Sequence, residues 1–184
     1  MPTRYALLST CPPTQCGLAT FAAALVVHLP RPGDQVAVVR VLDEMEPRPA
    51  SEVVHDLVAG SAASAAATAD VLNSFDVVIV QHEYGIYGGP DGQDVVSLFE
   101  ALYVPIIVVL HTVLAHPSPR QRAILEGVIA AVGAVVTMTK TARWRLLNCH
   151  GTPPDKVLVI PHGAADNRVT ASSPAVASPP MVLT

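Results

Sequence analysis

Charged residues are scarce in this chain of 184 residues. They make up 14% of it, whereas hydrophobic residues make up 51%. This composition is too apolar for a disordered chain and sufficient for a hydrophobic core, so one domain is expected, with or without a tail. The net charge is −4, which leaves no basic excess and argues against a nucleic acid as the partner.

Long apolar runs and signal-peptide features are also missing. The run VPIIVVL at 104–110 falls far short of the roughly 20 apolar residues that a spanning helix needs. The first residues, MPTRYALLSTCPPT, lack a long apolar region and a small-residue cleavage site. We therefore expect no transmembrane segment and a cytoplasmic location.

Cysteine is rare, with Cys11, Cys16 and Cys149 as the three examples. An odd and sparse set does not suggest a disulfide framework, and no second pair completes a zinc site. Free thiols in a reducing compartment are expected.

Several catalytic and nucleotide-binding motifs are absent. Neither GxGxxG nor GxxxxGK[ST] occurs, so a dinucleotide-binding fold and a P-loop are unsupported. HEYGI at 82–86 lacks the second histidine of the HExxH zinc-protease motif, and no GxSxG suggests an α/β hydrolase.

What is present is a regular alternation of strand and helix patterns. Apolar residues with period 3.6 alternate with short β-branched runs, which favours parallel strands joined by right-handed crossovers. The predicted fold class is α/β, with a Rossmann-like, doubly wound, mostly parallel sheet of about seven strands and helices on both faces. The predicted strands are 4–10, 35–42, 52–58, 76–81, 104–112, 134–139 and 155–161, and the predicted helices are 17–29, 61–75, 90–102, 118–132 and 140–151.

The composition changes near the end of the sequence. Residues 1–166 form the predicted Rossmann-like domain, and 167–184 are rich in Ala, Ser and Pro, as in a linker. The last residues, MVLT, resemble the opening of another strand. Residues 167–184 are therefore either a linker towards an absent second domain or a frayed tail, and the composition leaves both interpretations open.

Polar residues collect where the predicted strands end. Ligands of open parallel sheets bind beyond the carboxyl ends of the strands, and Gln81, His82 and Glu83 stand at such an end. The glycines that follow, including Gly88 and Gly89, allow close backbone approach, so this loop is a predicted substrate-binding segment.

Two further positions stand at the same predicted edge. Gly17 opens a helix, where exposed backbone N–H groups could bind an anion, although a plain tight turn is the more common reason for a glycine here. His111 ends a buried strand and is either functional or satisfied by neighbouring backbone. A metal held by His82, Glu83 and His111 has too few ligands, so no metal site is predicted.

Four arginines form two small basic sets on neighbouring helices. They suggest a solvated face, with phospholipid head groups or an acidic acceptor as the alternative, so peripheral membrane contact stays open. The four are Arg120, Arg122, Arg143 and Arg145.

Taken together, several stretches resemble the N-terminal half of a family 4 glycosyltransferase of the GT-B type. The resemblance covers about residues 4–166, and the combination of stretches is specific where no single one is. They are STCPPTQCGLATF, DVVIVQHEYGIYGGPDG, VPIIVVLHTVL, VVTMTKTAR and KVLVIPHG.

The resemblance implies roles for individual residues. Gly17 would approach the donor diphosphate, although the family often has two glycines where this chain has Cys16-Gly17. His111 would be the catalytic contact to the donor sugar, and 81–83 would line the acceptor side. The segment Pro161, His162 and Gly163 would lead to an interdomain hinge.

The resemblance also implies an activity and its partners. It implies metal-independent, retaining transfer of a sugar from a nucleotide-sugar to an acceptor, with a C-terminal donor domain supplied in cis or in trans. Without that domain the chain is expected to be inactive and to expose apolar surface, so a homodimer is one expectation. The alternatives are a non-catalytic binding module that pairs with another chain and, with less support, a flavodoxin-like nucleotide-binding protein.

Overall fold

Strands and helices alternate along the chain in the computed structural model, which describes residues 1–47 and 52–163. The predicted domain end at 164–166 and the predicted linker at 167–184 lie outside the described residues. The strands are β1 (Arg4–Ser9), β2 (Gln35–Leu42), β3 (Val53–Val58), β4 (Val77–His82), β5 (Ile106–Leu110), β6 (Ala134–Thr137) and β7 (Val157–Val159). The helices are α1 (Gly17–His28), α2 (Ala62–Leu72), α3 (Asp94–Glu100), α4 (Pro119–Ala131) and α5 (Lys140–Cys149), with 3₁₀ turns at Pro90–Gly92 and Pro154–Lys156.

The seven strands form one sheet in the order β3-β2-β1-β4-β5-β6-β7. All six pairings are parallel, which confirms the predicted fold class. The chain moves outward from β1 through β2 to β3 and then returns to place β4 on the other side of β1. This reversal puts a topological switch point between β1 and β4, where open α/β sheets bind ligands.

The two faces of the sheet are covered unequally. The larger core cluster joins alternate strand residues such as Val80 and Leu110 to apolar residues of α2, α3, α4 and α5. The smaller cluster joins the other strand residues, such as Ile79 and Val109, to α1. We call these the four-helix face and the α1 face. Successive strand residues point to opposite faces, so each position in a strand decides which face its side chain joins.

The predicted helix ends are mostly confirmed by their caps. Ser61 Oγ accepts from Ser64 N at the start of α2, and Ser118 caps α4 with Pro119 as the first residue. Gln121 completes a capping box with Ser118. Gly151 follows α5 with a φ of +61°, the left-handed conformation that ends many helices.

The predicted helix start at Pro90 is wrong. Pro90 begins a 3₁₀ turn in which Asp91 has a φ of 57°, and the helix proper starts at Asp94. A left-handed residue cannot continue a right-handed helix, so Pro90 starts only a separate turn.

Three further features complete the description of the fold. The cysteines are unpaired, as expected. No helix within 1–47 and 52–163 is long and apolar enough to cross a membrane. The edge strand β7 and the residue after it leave Leu158 53% and Ile160 55% exposed. The expected homodimer stays a prediction.

Candidate functional site

The candidate site lies at the carboxyl edge of the sheet, around the switch point between β1 and β4. Gly17 begins α1 shortly after β1, Gln81 and His82 end β4, and His111 follows β5 directly. Parallel pairing of β1, β4 and β5 brings these three segments to one edge. The expectation that Gly17, His82 and His111 share one rim of the sheet is confirmed.

The closest side-chain contact of the site joins Gln81 to His111. Gln81 Oε1 meets His111 Nε2 within hydrogen-bond distance. Gln81 is fully buried, and its backbone oxygen accepts a hydrogen bond of 2.8 Å from the Tyr87 hydroxyl. The backbone of His111 is fixed as well, because its N–H donates to His82 O at 3.1 Å. His111 is therefore held at two points, by its backbone N–H and by its ring nitrogen Nε2.

The Glu83 carboxylate is oriented by two hydrogen bonds. Thr112 Oγ1 donates to Oε2 at 2.5 Å, and the backbone N–H of Tyr84 donates to Oε1 at 2.9 Å. Glu83 remains partly exposed, so it keeps acceptor capacity towards solvent or a ligand.

The ring of Phe21 in α1 contacts both His111 and His162. It lies edge-on to His111 with centroids 5.2 Å apart, and 4.9 Å from the ring of His162. Phe21 follows Gly17 by four residues, so both lie on the same face of α1. The predicted hinge segment at 161–163, the start of α1 and His111 are thus neighbours in space.

Gly17 itself leaves open space. A Cβ atom built at this position would meet nothing within 4 Å. The helix end is organised by Cys16, whose Sγ accepts from Ala19 N at 3.4 Å and lies 3.2 Å from Thr10 Oγ1. The first N–H groups of a helix carry a partial positive charge, so an anion could approach the backbone here.

His82 points to the face opposite to that of Gln81. It is 1% exposed and packs against the rings of Tyr84, at 5.4 Å, and Tyr87, at 6.4 Å. Among the described residues its Nδ1 has no hydrogen-bond partner. Burial, assisted by His111, lowers the pKa of His82 to about 4, so the ring is neutral at pH 7. Its predicted contact with a substrate remains a prediction.

His111 is also held neutral. Burial is the main cause that lowers its pKa, and His162 acts in the same direction, whereas Glu83 raises it. A neutral imidazole has one N–H and one lone pair, so it can bridge a donor and an acceptor.

Gly88 and Gly89 do not join the contacts around His111. A Cβ on Gly88 would lie 1.9 Å from the backbone nitrogen of Gly60, and one on Gly89 would lie 2.6 Å from Asp94 Oδ1. The close approach seen at Gly88 is between two loops of the protein itself. Substrate binding by these glycines is still a prediction.

Three of the four arginines in the basic sets donate to backbone carbonyls. Arg122 donates to Cys149 O at 2.7 Å, Arg143 to Pro154 O at 3.4 Å and Arg145 to Val113 O at 2.6 Å. Arg122 thus ties α4 to the end of α5, and Arg143 and Arg145 tie α5 to the segments that contain Pro154 and Val113. The fourth arginine, Arg120, has a side chain 58% exposed and pairs with Asp91 at 4.0 Å.

The sequence analysis missed the roles of Phe21 and Tyr87. Phe21 fits the apolar face of α1 like a core residue, and Tyr87 is one of two tyrosines in a glycine-rich loop. The spacing of Phe21 four residues after Gly17 was the available signal, since it places an aromatic ring one turn from the open helix end.

Within the described part of the chain, no group of three or more His, Cys, Asp or Glu could hold a metal ion.

Comparison with solved structures shows the fold. An α-glucosyltransferase in complex with UDP and DNA containing an HMU base has a TM-score of 0.62 at 13% identity, over 85% of this chain and 41% of its own. Anabaena Alr3699/HepE, in complex with UDP and glucose, has a TM-score of 0.57 at 12% identity, over 88% and 45%. UDP-N-acetylglucosamine 2-epimerase from Rickettsia bellii has a TM-score of 0.54 at 14% identity, over 85% and 44%.

The chain therefore spans less than half the length of these structures and has the architecture of one half of a GT-B fold. No curated protein matches it. The family model Glycosyltransferase Family 4 matches residues 16–168, which is most of the sequence. The chain thus belongs to Glycosyltransferase Family 4.

Proposed function

We propose that this chain is the acceptor-side half of a glycosyltransferase that moves a sugar from a nucleotide-sugar to an acceptor with retention of configuration. Family membership supports the class of reaction. The bound UDP named for two of the similar structures supports a nucleotide-sugar donor. The observation that carries the proposal is the His111–Gln81 pair, which lies beside Phe21 of α1 at the switch point.

The start of α1 would receive the diphosphate of the donor. The backbone at Gly17 is open, and a helix end stabilises negative charge there. This charge develops further as the diphosphate leaves, so a fixed helix end stabilises the transition state more than the ground state.

His111 would contact the sugar through its neutral imidazole, and Glu83 would accept a hydrogen bond from a hydroxyl of the acceptor. Both side chains are oriented by neighbours, His111 by Gln81 and Glu83 by Thr112. Orientation before binding lowers the entropy lost when the reacting groups are brought together.

A second domain is part of the proposal. One wall of a cleft cannot exclude water, and stabilisation of a cationic sugar beside a leaving diphosphate needs a closed, dry site. We therefore expect negligible transfer by the isolated chain and transfer when a donor domain is joined to it or added. No metal is proposed for the reaction, so excess EDTA should leave transfer unchanged.

Titration calorimetry with UDP, UDP-glucose and other nucleotide-sugars tests binding, and a product assay with and without a donor domain tests transfer. Gly17→Val should weaken nucleotide binding, because its side chain would occupy the open space at the helix end, while the melting temperature stays unchanged. Robust transfer by the isolated chain would refute the need for a second domain. Absence of both binding and transfer with every donor domain would favour the non-catalytic module.

A further inference from the structure

We propose that Gln81 is a positioning residue that decides which nitrogen of His111 carries the proton. It holds the proton on Nε2 and thereby turns Nδ1 into a hydrogen-bond acceptor for a substrate hydroxyl. Only the hydrogen bond from a substrate hydroxyl to Nδ1 rests on the proposed function. The tautomer itself is a property of the ligand-free chain.

The argument starts from the chemistry of the two atoms in contact. Gln81 Oε1 is an amide oxygen, which accepts hydrogen bonds and cannot donate them. It lies against His111 Nε2, so Nε2 must supply the proton. A neutral imidazole carries one N–H, and the lone pair is then on Nδ1. In the described part of the chain, Nδ1 of His111 makes no hydrogen bond, and the residue is partly exposed.

The position of Gln81 is set independently of His111. Its side chain is fully buried on the α1 face at the end of β4, and Tyr87 fixes its backbone oxygen. The edge-on ring of Phe21 limits rotation of the imidazole from the α1 side. The burial of the side chain and the fixed backbone therefore keep the amide beside the ring of His111.

The amide nitrogen of Gln81 is placed by the same orientation of the side chain. Gln81 Nε2 is buried and has no hydrogen-bond partner within the described residues. Native proteins rarely bury an amide N–H without a partner, so each example needs an explanation. With Oε1 against the ring, Nε2 points away from His111. An amide turned by 180° would donate to His111 Nε2 and place the proton on Nδ1, so the tautomer measured below also tests the orientation of the amide.

Other groups near His111 do not set its tautomer. Among the described residues, the Glu83 carboxylate accepts from Thr112 and from the backbone of Tyr84 and makes no hydrogen bond to the His111 ring. His162 also contacts the ring of Phe21, and its Nδ1 lies 2.9 Å from Gly163 O. The ring of His82 belongs to the opposite face of the sheet and contacts Tyr84 and Tyr87.

Long-range ¹H–¹⁵N spectra of the ¹⁵N-histidine-labelled chain test the proposal at a pH above the titration of His111. We expect His111 to show a protonated Nε2 and an unprotonated Nδ1. In Gln81→Leu an apolar side chain faces Nε2, so the proton should move to Nδ1 and the tautomer ratio should reverse. Gln81→Glu keeps an acceptor, so it should retain the Nε2–H form and raise the pKa of His111.

Thr137→Val is the matched control, since it removes a buried hydroxyl at the end of the neighbouring strand β6 and should leave the His111 signals unchanged. A wild-type His111 protonated on Nδ1 would overturn the proposal, as would an unchanged ratio in folded Gln81→Leu. If Gln81→Leu does not fold, the wild-type and Gln81→Glu spectra still decide. Absence of both nucleotide-sugar binding and transfer with every donor domain would count against the proposed function and not against the tautomer.

Discussion

Gln81 and His82 are neighbours in the chain but lie on opposite faces of the sheet. The Gln81 side chain contacts His111 on the α1 face, whereas the His82 ring packs among Tyr84 and Tyr87 on the four-helix face. The alternation of side chains along β4 causes this separation. Two residues that look like one polar motif in the sequence therefore have different environments, and only His82 carries a group that titrates.

The burial of His82 predicts a pH dependence of stability. Its pKa is about 4 in the folded chain and near the ordinary value of 6.5 when unfolded, so the unfolded state binds a proton first as the pH falls. Its contribution is fully present above pH 6.5 and is lost towards pH 4, by on the order of 3 kcal/mol. Chemical denaturation at a series of pH values should show this loss.

Two variants assign the effect to His82. His82→Phe should flatten the slope between pH 6.5 and 4, because the buried titrating group is gone. His116→Gln, which changes an exposed histidine, should leave the slope as in the wild type. Equal slopes for wild type and His82→Phe would show that another group titrates.

The hydroxyl of Tyr87 should contribute measurably to stability. Its hydrogen bond of 2.8 Å to Gln81 O is buried, and Tyr87 is 3% exposed. Tyr87→Phe removes the donor and should lower the free energy of unfolding by about 1–2 kcal/mol. Tyr103→Phe is the control, since Tyr103 is 83% exposed and its change should stay within about 0.5 kcal/mol in urea denaturation.

The buried ion pair of Arg40 and Asp56 should be sensitive to removal of one partner. Arg40 Nε donates to Asp56 Oδ1 at 2.8 Å with both side chains almost fully buried, and Arg40 also donates to Glu46 O. Arg40→Leu leaves the buried carboxylate without this cation and should cost about 3–5 kcal/mol.

A double-mutant cycle checks the coupling of this pair. Arg40→Leu combined with Asp56→Leu should cost less than the sum of the single changes, because neither charge is then left behind. Arg120→Leu breaks an exposed pair and should change stability by less than about 1 kcal/mol. Additive costs for Arg40 and Asp56 would contradict the coupling.

The two glycines Gly88 and Gly17 should respond differently to alanine. A Cβ at position 88 would overlap the backbone of Gly60, at 1.9 Å from N and 2.4 Å from Cα, so Gly88→Ala must displace a loop. We expect it to lower stability by about 1–3 kcal/mol. Gly17→Ala enters open space and should leave the melting temperature unchanged or slightly raised. A tolerated Gly88→Ala would show that the two loops separate easily.

The fold was largely predictable because its signals are local. The 3.6-residue spacing of Leu18, Phe21, Leu25 and Leu29 requires only neighbouring residues to indicate α1. The caps at Ser61 and Ser118 and the stop at Gly151 act within a single turn, and the structure confirms all three. Pro90 misled because the same residue favours a turn and a helix start. The stretch Pro90-Asp91-Gly92 was the available signal, since it is a turn signature in which Asp tolerates the left-handed conformation.

The sequence alone determined the alternation of seven strands with helices and the collection of polar residues where those strands end, since both follow from local periodicity and composition. The tertiary structure decided which of these residues meet. Parallel pairing of β4 with β5 brings His111 to Gln81, packing of α1 brings Phe21 to both His111 and His162, and contact between loops brings Gly88 to Gly60. These contacts join residues far apart in the chain, so they depend on strand order and on the face that each side chain joins.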